Sequence, residues 1–153
     1  MRQIVGRVLY GADEEVAAFV RTRMPVEAQR LGGFPEGGTI ALGIVNADGK
    51  LVAGVVGFHF RKHECAGAVA SDDASVWTPA VLRRLFRYPF VQKGYRRLTA
   101  YTGATNIRMQ RLLRGVGFKL EGRLRHGLDG QEDLLVFGLL KEECRFLPKE
   151  CRP

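Results

Sequence analysis

The sequence predicts an α/β fold: one mixed sheet of about seven strands with helices on both faces. Three observations lead there. At 153 residues the chain has the usual size of one domain with one core. Stretches in which apolar residues recur every second position alternate with stretches at helical spacing. In the middle of the chain a strand, an Arg-faced helix, a second strand and a second Arg-faced helix follow one another, which requires a right-handed crossover between parallel strands. No repeat, low-complexity tract or linker interrupts this order, so residues 1–153 read as a single domain.

Arg2 to Tyr10 alternates as a strand, with Ile4, Val8 and Tyr10 on one face and Gly11 at its end. A helix follows. Asp13, Glu14 and Glu15 suit its first turn, Val16, Phe19, Val20 and Met24 form its apolar stripe, and Arg21 and Arg23 complement its C-terminal dipole before Pro25. Gly32, Gly33, Pro35, Gly37 and Gly38 mark a loop. Thr39 to Asn46 and Leu51 to Phe60 then read as two strands joined by a turn with an Asp48-Gly49 step. The second is almost entirely apolar, as expected of a central strand covered on both faces. A turn at Arg61 to Glu64 leads into a strand of small residues, Ala66 to Ser71.

Thr78 and Pro79 are an N-cap and first-turn pair that opens the next helix. Its inner face is Val81, Leu82, Leu85 and Phe86, its outer face Arg83, Arg84 and Arg87, and Pro89 ends or kinks it. After the strand Arg96 to Thr102, Asn106 caps a third helix with an apolar stripe of Met109, Leu112, Leu113 and Val116, opposite Arg108, Arg111 and Arg114. Gly115 and Gly117 finish it. Phe118 to Arg125 and Glu132 to Leu140 form a last hairpin around an Asp129-Gly130 step.

Composition narrows the function classes. Hydrophobic residues at 46% and charged residues at 26% exclude disordered, collagen-like and coiled-coil chains. The three cysteines, Cys65, Cys144 and Cys151, lack the spacing of a disulfide framework or a zinc site, so no metal is expected. No signal-peptide core or membrane-length apolar run is present, and the chain reads as cytosolic with no membrane contact. The unusual quantity is the charge of +8, carried by eighteen Arg and six Lys. Arginine presents forked donors that match phosphates and carboxylates. Two Arg-faced helices whose N-termini follow strand ends are a suitable place for an anion.

The stretch Asn106 to Arg125, with Gly117-Phe118, Glu121-Gly122 and Arg125 in register, resembles the GNAT acetyltransferases. Within them it is most similar to the branch that acetylates ribosomal-protein N-termini. Leu85 to Phe90 and Arg96 to Ala100 resemble the preceding helix and strand of that branch. The resemblance is good over Thr78 to Leu140 and rests on element order before it. It implies a GNAT-like acyl-CoA N-acyltransferase fold, acetyl-CoA as co-substrate and direct transfer of acetyl to an amine: a protein N-terminus, a lysine or a small amine. It also implies that strand backbone near Val69 to Ser71 holds the pantetheine arm and polarises the thioester carbonyl.

Two departures accompany the match. The family's Gly-rich pyrophosphate loop is replaced by Ser71 to Pro79, which has no glycine, so Ser71, Thr78 and free N–H groups would have to receive the phosphate, with Asp72 and Asp73 facing away. The family's usual proton donors fall at Met109 and Leu113, which cannot donate. Remaining candidates for proton transfer are His59, in the central strand, His63 and Glu64 in the following turn, and His126 at the end of the sixth strand. The alternatives are a satisfied core histidine and solvated turn residues. Trp77 either stacks on the coenzyme or belongs to the core. Asn106 is a cap, a pantetheine ligand or both, and Arg108 and Arg111 bind coenzyme phosphates or form a solvated face. A second reading of the same charges is a catalytically inactive GNAT-like module that binds nucleic acid or an acidic protein.

Overall fold

The computed structural model describes residues 1–23, 40–128 and 130–151. The expected roles of Met24 and Pro25, the glycine-rich loop, Thr39 and Asp129 lie outside these residues. A single eight-stranded sheet runs through the molecule in the order β1-β2-β3-β4-β5-β6-β8-β7. Its strands are β1 (Gln3–Val5), β2 (Val8–Tyr10), β3 (Ile40–Val45), β4 (Leu51–Phe58), β5 (Glu64–Ser71), β6 (Arg97–Gly103), β7 (Lys119–Leu124) and β8 (Leu134–Leu140). Every neighbouring pair is antiparallel except β5 and β6.

The strand beyond the expected seven comes from the N-terminus. Arg2 to Tyr10 is a hairpin, with Val5 opposite Val8 and a two-residue turn whose first residue, Gly6, has φ 63°. That left-handed dihedral reverses the chain where a side chain would be strained. Ile4 therefore stands opposite Leu9 instead of sharing a face with Val8 and Tyr10, and it is exposed.

Three α-helices cover the sheet among the described residues: α1 (Asp13–Arg23), α2 (Pro79–Arg87) and α3 (Ile107–Val116). On one face Val16, Ala17 and Val20 of α1 pack over Ala41, Val56, Ala66, Ala68 and Ala70. Asp13 ties the helix to β3 by accepting the Ala41 N–H. On the other face Val81, Leu82, Leu85 and Phe86 of α2, with Val116 of α3, pack on Val8, Leu42, Ile44, Ala53 and Leu139, while Leu113 joins Ala100, Leu135 and Phe137. The expected caps hold: Thr78 accepts the Val81 N–H at 3.3 Å and Asn106 the Met109 N–H at 3.1 Å. Pro89 follows the end of α2 inside one π-helical turn, Tyr88–Gln92.

The β5–β6 pair is closed at one end by charge. Glu64 and Arg97 are partners in the ladder, and Arg97 Nε lies 3.0 Å from Glu64 Oε2. The same guanidinium donates to both carboxylate oxygens of Glu121 on β7, at 2.7 and 3.2 Å, and to Thr99 Oγ1. β8 lies between β6 and β7, so Glu121 must reach across it, and it does so over Gly138, where a Cβ would run into its carboxylate. The Glu121 of the sequence motif is thus one arm of a clamp over four strands. Glu121→Gln and Gly138→Ala are each expected to lower stability by about 1 kcal/mol. The double variant should lose little more than either single one in urea denaturation, and fully additive losses would break this assignment.

Candidate active site

The parallel ladder contains only four pairs, Glu64↔Arg97 to Gly67↔Ala100. Beyond them β5 stays on β4 as far as Ser71, and β6 stays on β8 as far as Gly103. The two central strands therefore part company at their C-terminal halves. The Asp72 N–H donates to the Val52 carbonyl at 2.8 Å, which makes 52 and 72 a hydrogen-bonded antiparallel pair. Alternation from that pair turns the main-chain groups of Val69 and Ser71 away from β4, into the opening. Polar backbone inside a fold requires partners, so this edge is suited to a ligand that brings its own amides.

An apolar cavity of about 140 Å³ adjoins the vertex of the opening. Cys65, Gly67 and Val69 of β5, Leu98 and Ala100 of β6, Leu82 and Phe86 of α2, Leu113 of α3, and Trp77 are among its walls. Gly67 stands at the vertex, and the nearest atom to a Cβ placed there is the Val56 carbonyl oxygen at 3.8 Å. Among the described residues no Asp, Glu, His, Lys or Arg lines the cavity. Burial, with a smaller effect from Glu64, pushes the Cys65 thiol up to about 11, so it remains protonated at neutral pH.

α2 follows β5 and α3 follows β6, so both helix N-termini lie at the open end of the strand pair. The glycine-free loop before α2 is held by its own side chains. Ser71 Oγ donates to the Asp73 carbonyl at 2.8 Å, and Asp73 accepts from the Ser75 N–H and hydroxyl at 2.9 and 2.6 Å. Those bonds hold the Asp73 carboxyl below its ordinary range. Asp72 turns to the α1 side, where Arg23 grips both of its oxygens at 2.7 and 2.8 Å and lowers its pKa in the same way.

The N–H groups of Ser75, Val76, Trp77, Thr78 and Val81 are all bonded within this segment. The donors left over are few: the N–H groups of Asp73 and Ala74 in the loop, the Ala80 N–H in the first turn of α2 and the hydroxyl hydrogen of Thr78. At α3 the Asn106 side chain is occupied as a cap. Arg108 and Arg111 are exposed and make no ion pair or hydrogen bond with the described residues.

The sequence candidates thus divide. Val69, Ser71, Trp77, Thr78, Asn106, Arg108 and Arg111 surround the opening or its helix ends. His59 does not: β4 ends at Phe58, and His59 is exposed, has φ 51°, and sets its ring edge-on against Phe58 at 4.8 Å. Its expected place in the central strand is corrected by that left-handed turn. Glu64 is the first residue of β5 rather than part of the turn, is held by Arg97 and Arg61, and does not line the cavity.

Sequence reasoning missed Gln110. It is buried on α3, and its amide donates to the carbonyls of Gly103 and Ala104, fixing the helix to the end of β6. Its position between Met109 and Leu113 was the available signal. Among the described residues no group of three His, Cys, Asp or Glu is placed to hold a metal ion, and no helix is long and apolar enough to cross a membrane.

Three solved structures share this architecture. A probable acetyltransferase aligns over 94% of this chain and 98% of its own, at 18% identity and TM-score 0.68. A GNAT-family acetyltransferase from Bacillus anthracis aligns over 94% and 100%, at 16% identity and TM-score 0.65. A variant of the spermidine N-acetyltransferase SpeG from Vibrio cholerae aligns over 69% and 66%, at 14% identity and TM-score 0.60. No protein-family model and no curated protein matches the sequence. The fold is that of the GNAT acyl-CoA N-acyltransferases, with eight strands in place of the seven expected.

A thiol that is harder to ionise in the folded state contributes stability below its unfolded pKa and loses it as the pH rises towards the folded value. Folding stability should accordingly fall between about pH 9 and 11. Cys65→Ala should flatten part of that limb in thermal melts taken across the range, and an unchanged limb would remove Cys65 from the account.

Proposed function

We propose that the protein is an acyl-CoA-dependent N-acyltransferase. The observation that carries this reading is the parting of β5 and β6 beside a cavity, with strand backbone at Val69 facing the gap. The likeness of fold to known acetyltransferases supports it. In this reading Val69 and Ser71 pair with the pantetheine amides and Trp77 borders the arm. The Thr78 hydroxyl, the Ala80 N–H and the first turn of α3 at Asn106 meet the phosphates, joined by Arg108 and Arg111. An acyl thioester supplies an activated carbonyl there. The neutral amine attacks that carbon, the C–N bond forms as the C–S bond breaks, and the proton lost by nitrogen is balanced by the one that yields free thiol.

Neither His59 nor Glu64 lines the cavity, and Met109 and Leu113 cannot donate a proton, so the reading gives solvent the task of moving it. The resemblance of Thr78 to Leu140 to ribosomal-protein N-terminal acetyltransferases makes a peptide α-amine the first acceptor to test.

Isothermal titration with acetyl-CoA at low salt is the direct experiment, and absence of binding would remove the reading. Gly67→Val should fill the vertex, where a Cβ meets nothing closer than 3.8 Å, weakening coenzyme binding at least tenfold while the melting temperature holds. Arg108→Ala with Arg111→Ala should weaken binding several-fold and reduce its salt dependence. If RNA or DNA binds with a steep salt dependence and coenzyme A does not compete, the basic surface serves a nucleic acid instead.

A further inference from the structure

We propose that the cavity at the vertex receives the acyl chain of the donor, and that the preferred chain is about four to six carbons long rather than acetyl. The proposal rests on the acyltransferase reading and adds the class of donor. Its first support is position. The cavity does not stop at the vertex but continues past Gly67 and Ala100 along the paired part of the strands, to Cys65, Leu98 and Tyr95. A thioester whose arm lies along Val69 directs its acyl end into that space.

The second support is volume. About 140 Å³ is close to the roughly 150 Å³ of an apolar cavity that holds a benzene molecule, six carbons in all. The end at Val69 and Trp77 goes to the arm, and beyond Gly67 and Ala100 a single methyl group would leave the walls at Cys65, Leu98 and Tyr95 without dispersion contacts.

The third support is polarity, which also decides between donor and acceptor. Among the described residues the polar side-chain atoms on the walls belong to Cys65, Thr99, Trp77, Tyr88 and Tyr95, with no carboxylate or base among them. An amine acceptor is an ammonium in water and would enter such a space without a carboxylate to meet it. A hydrocarbon chain enters with nothing to satisfy. The far wall is aromatic, with Phe60 and Tyr95 stacked at 6.3 Å between ring centres, and it bounds the chain length that fits.

The test is a titration series with acetyl-, butyryl-, hexanoyl- and decanoyl-CoA against the full chain, with coenzyme A as reference. Hexanoyl-CoA is expected to bind ten- to a hundredfold more tightly than acetyl-CoA, since each buried methylene adds several-fold, and decanoyl-CoA should gain nothing more. Equal affinities along the series, or affinities that fall with length, overturn the proposal while leaving the acyltransferase reading in place. Failure of every thioester and of coenzyme A itself removes both. Gly57→Val narrows the same space, and a Cβ there meets the Phe60 ring at a tolerable 3.4 Å. This variant should bring hexanoyl- and acetyl-CoA to similar affinities with an unchanged melting temperature, and a folded variant that keeps the full preference counts against the proposal.

Discussion

The shape of the sheet depends on Arg97. Its guanidinium is shared by Glu64 and Glu121, which come from β5 and β7, so one cation gathers the strands around β6 at their closed end. The pair is partly exposed, and each ion contact alone is modest. Their joint effect is geometric, since a cation held by two carboxylates and a threonine hydroxyl has one orientation. With that end fixed, β5 and β6 follow different antiparallel neighbours at the other end. The opening between them results from holding one end shut and giving each strand another partner beyond it.

Everything placed around the opening inherits its position from that divergence. α2 and α3 begin where the two strands end, on the same side of the sheet, and their buried faces roof the cavity. Small residues at the vertex, Gly67 and Ala100, keep the floor low enough for space to remain. Leu113, at a position where the resemblance to the GNAT acetyltransferases implies a proton donor, is a wall of the cavity and a member of the core. An apolar side chain at that position adds surface to the space beside it.

Much of this was legible in the sequence because it is written in local signals. Thr78-Pro79 and Asn106 mark helix starts through their own hydrogen bonds, and the apolar stripes of α2 and α3 need only helical spacing. The hairpin at Gly6 was not legible, because a single glycine in an alternating run looks the same in a continuous strand and in a tight turn. His59 escaped for a related reason: a left-handed dihedral at a non-glycine residue is a tertiary outcome with no sequence mark. Glu64 and Arg97 are thirty-three positions apart, and only the register of a parallel pair brings them together. The positions of Val69 and Ser71 were expected from resemblance, but which edge their amides face follows from the Val52–Asp72 hydrogen bond alone.

The loop between Ser71 and Pro79 is held largely by its own bonds. Ser71, Asp73, Ser75 and several main-chain amides are bonded to one another, Asp72 is held by Arg23, and Arg108 and Arg111 stand on α3 as long side chains with no partner among the described residues. A rigid backbone cradle selects an anion by shape and releases it slowly, whereas mobile guanidinium groups attract it from a distance and lose side-chain entropy when they close on it. On the proposed acyltransferase reading, capture of the coenzyme phosphates at this edge follows the ionic strength of the surroundings and residence follows the flexibility of a few arginines. Such an edge would favour rapid exchange of the coenzyme over long retention.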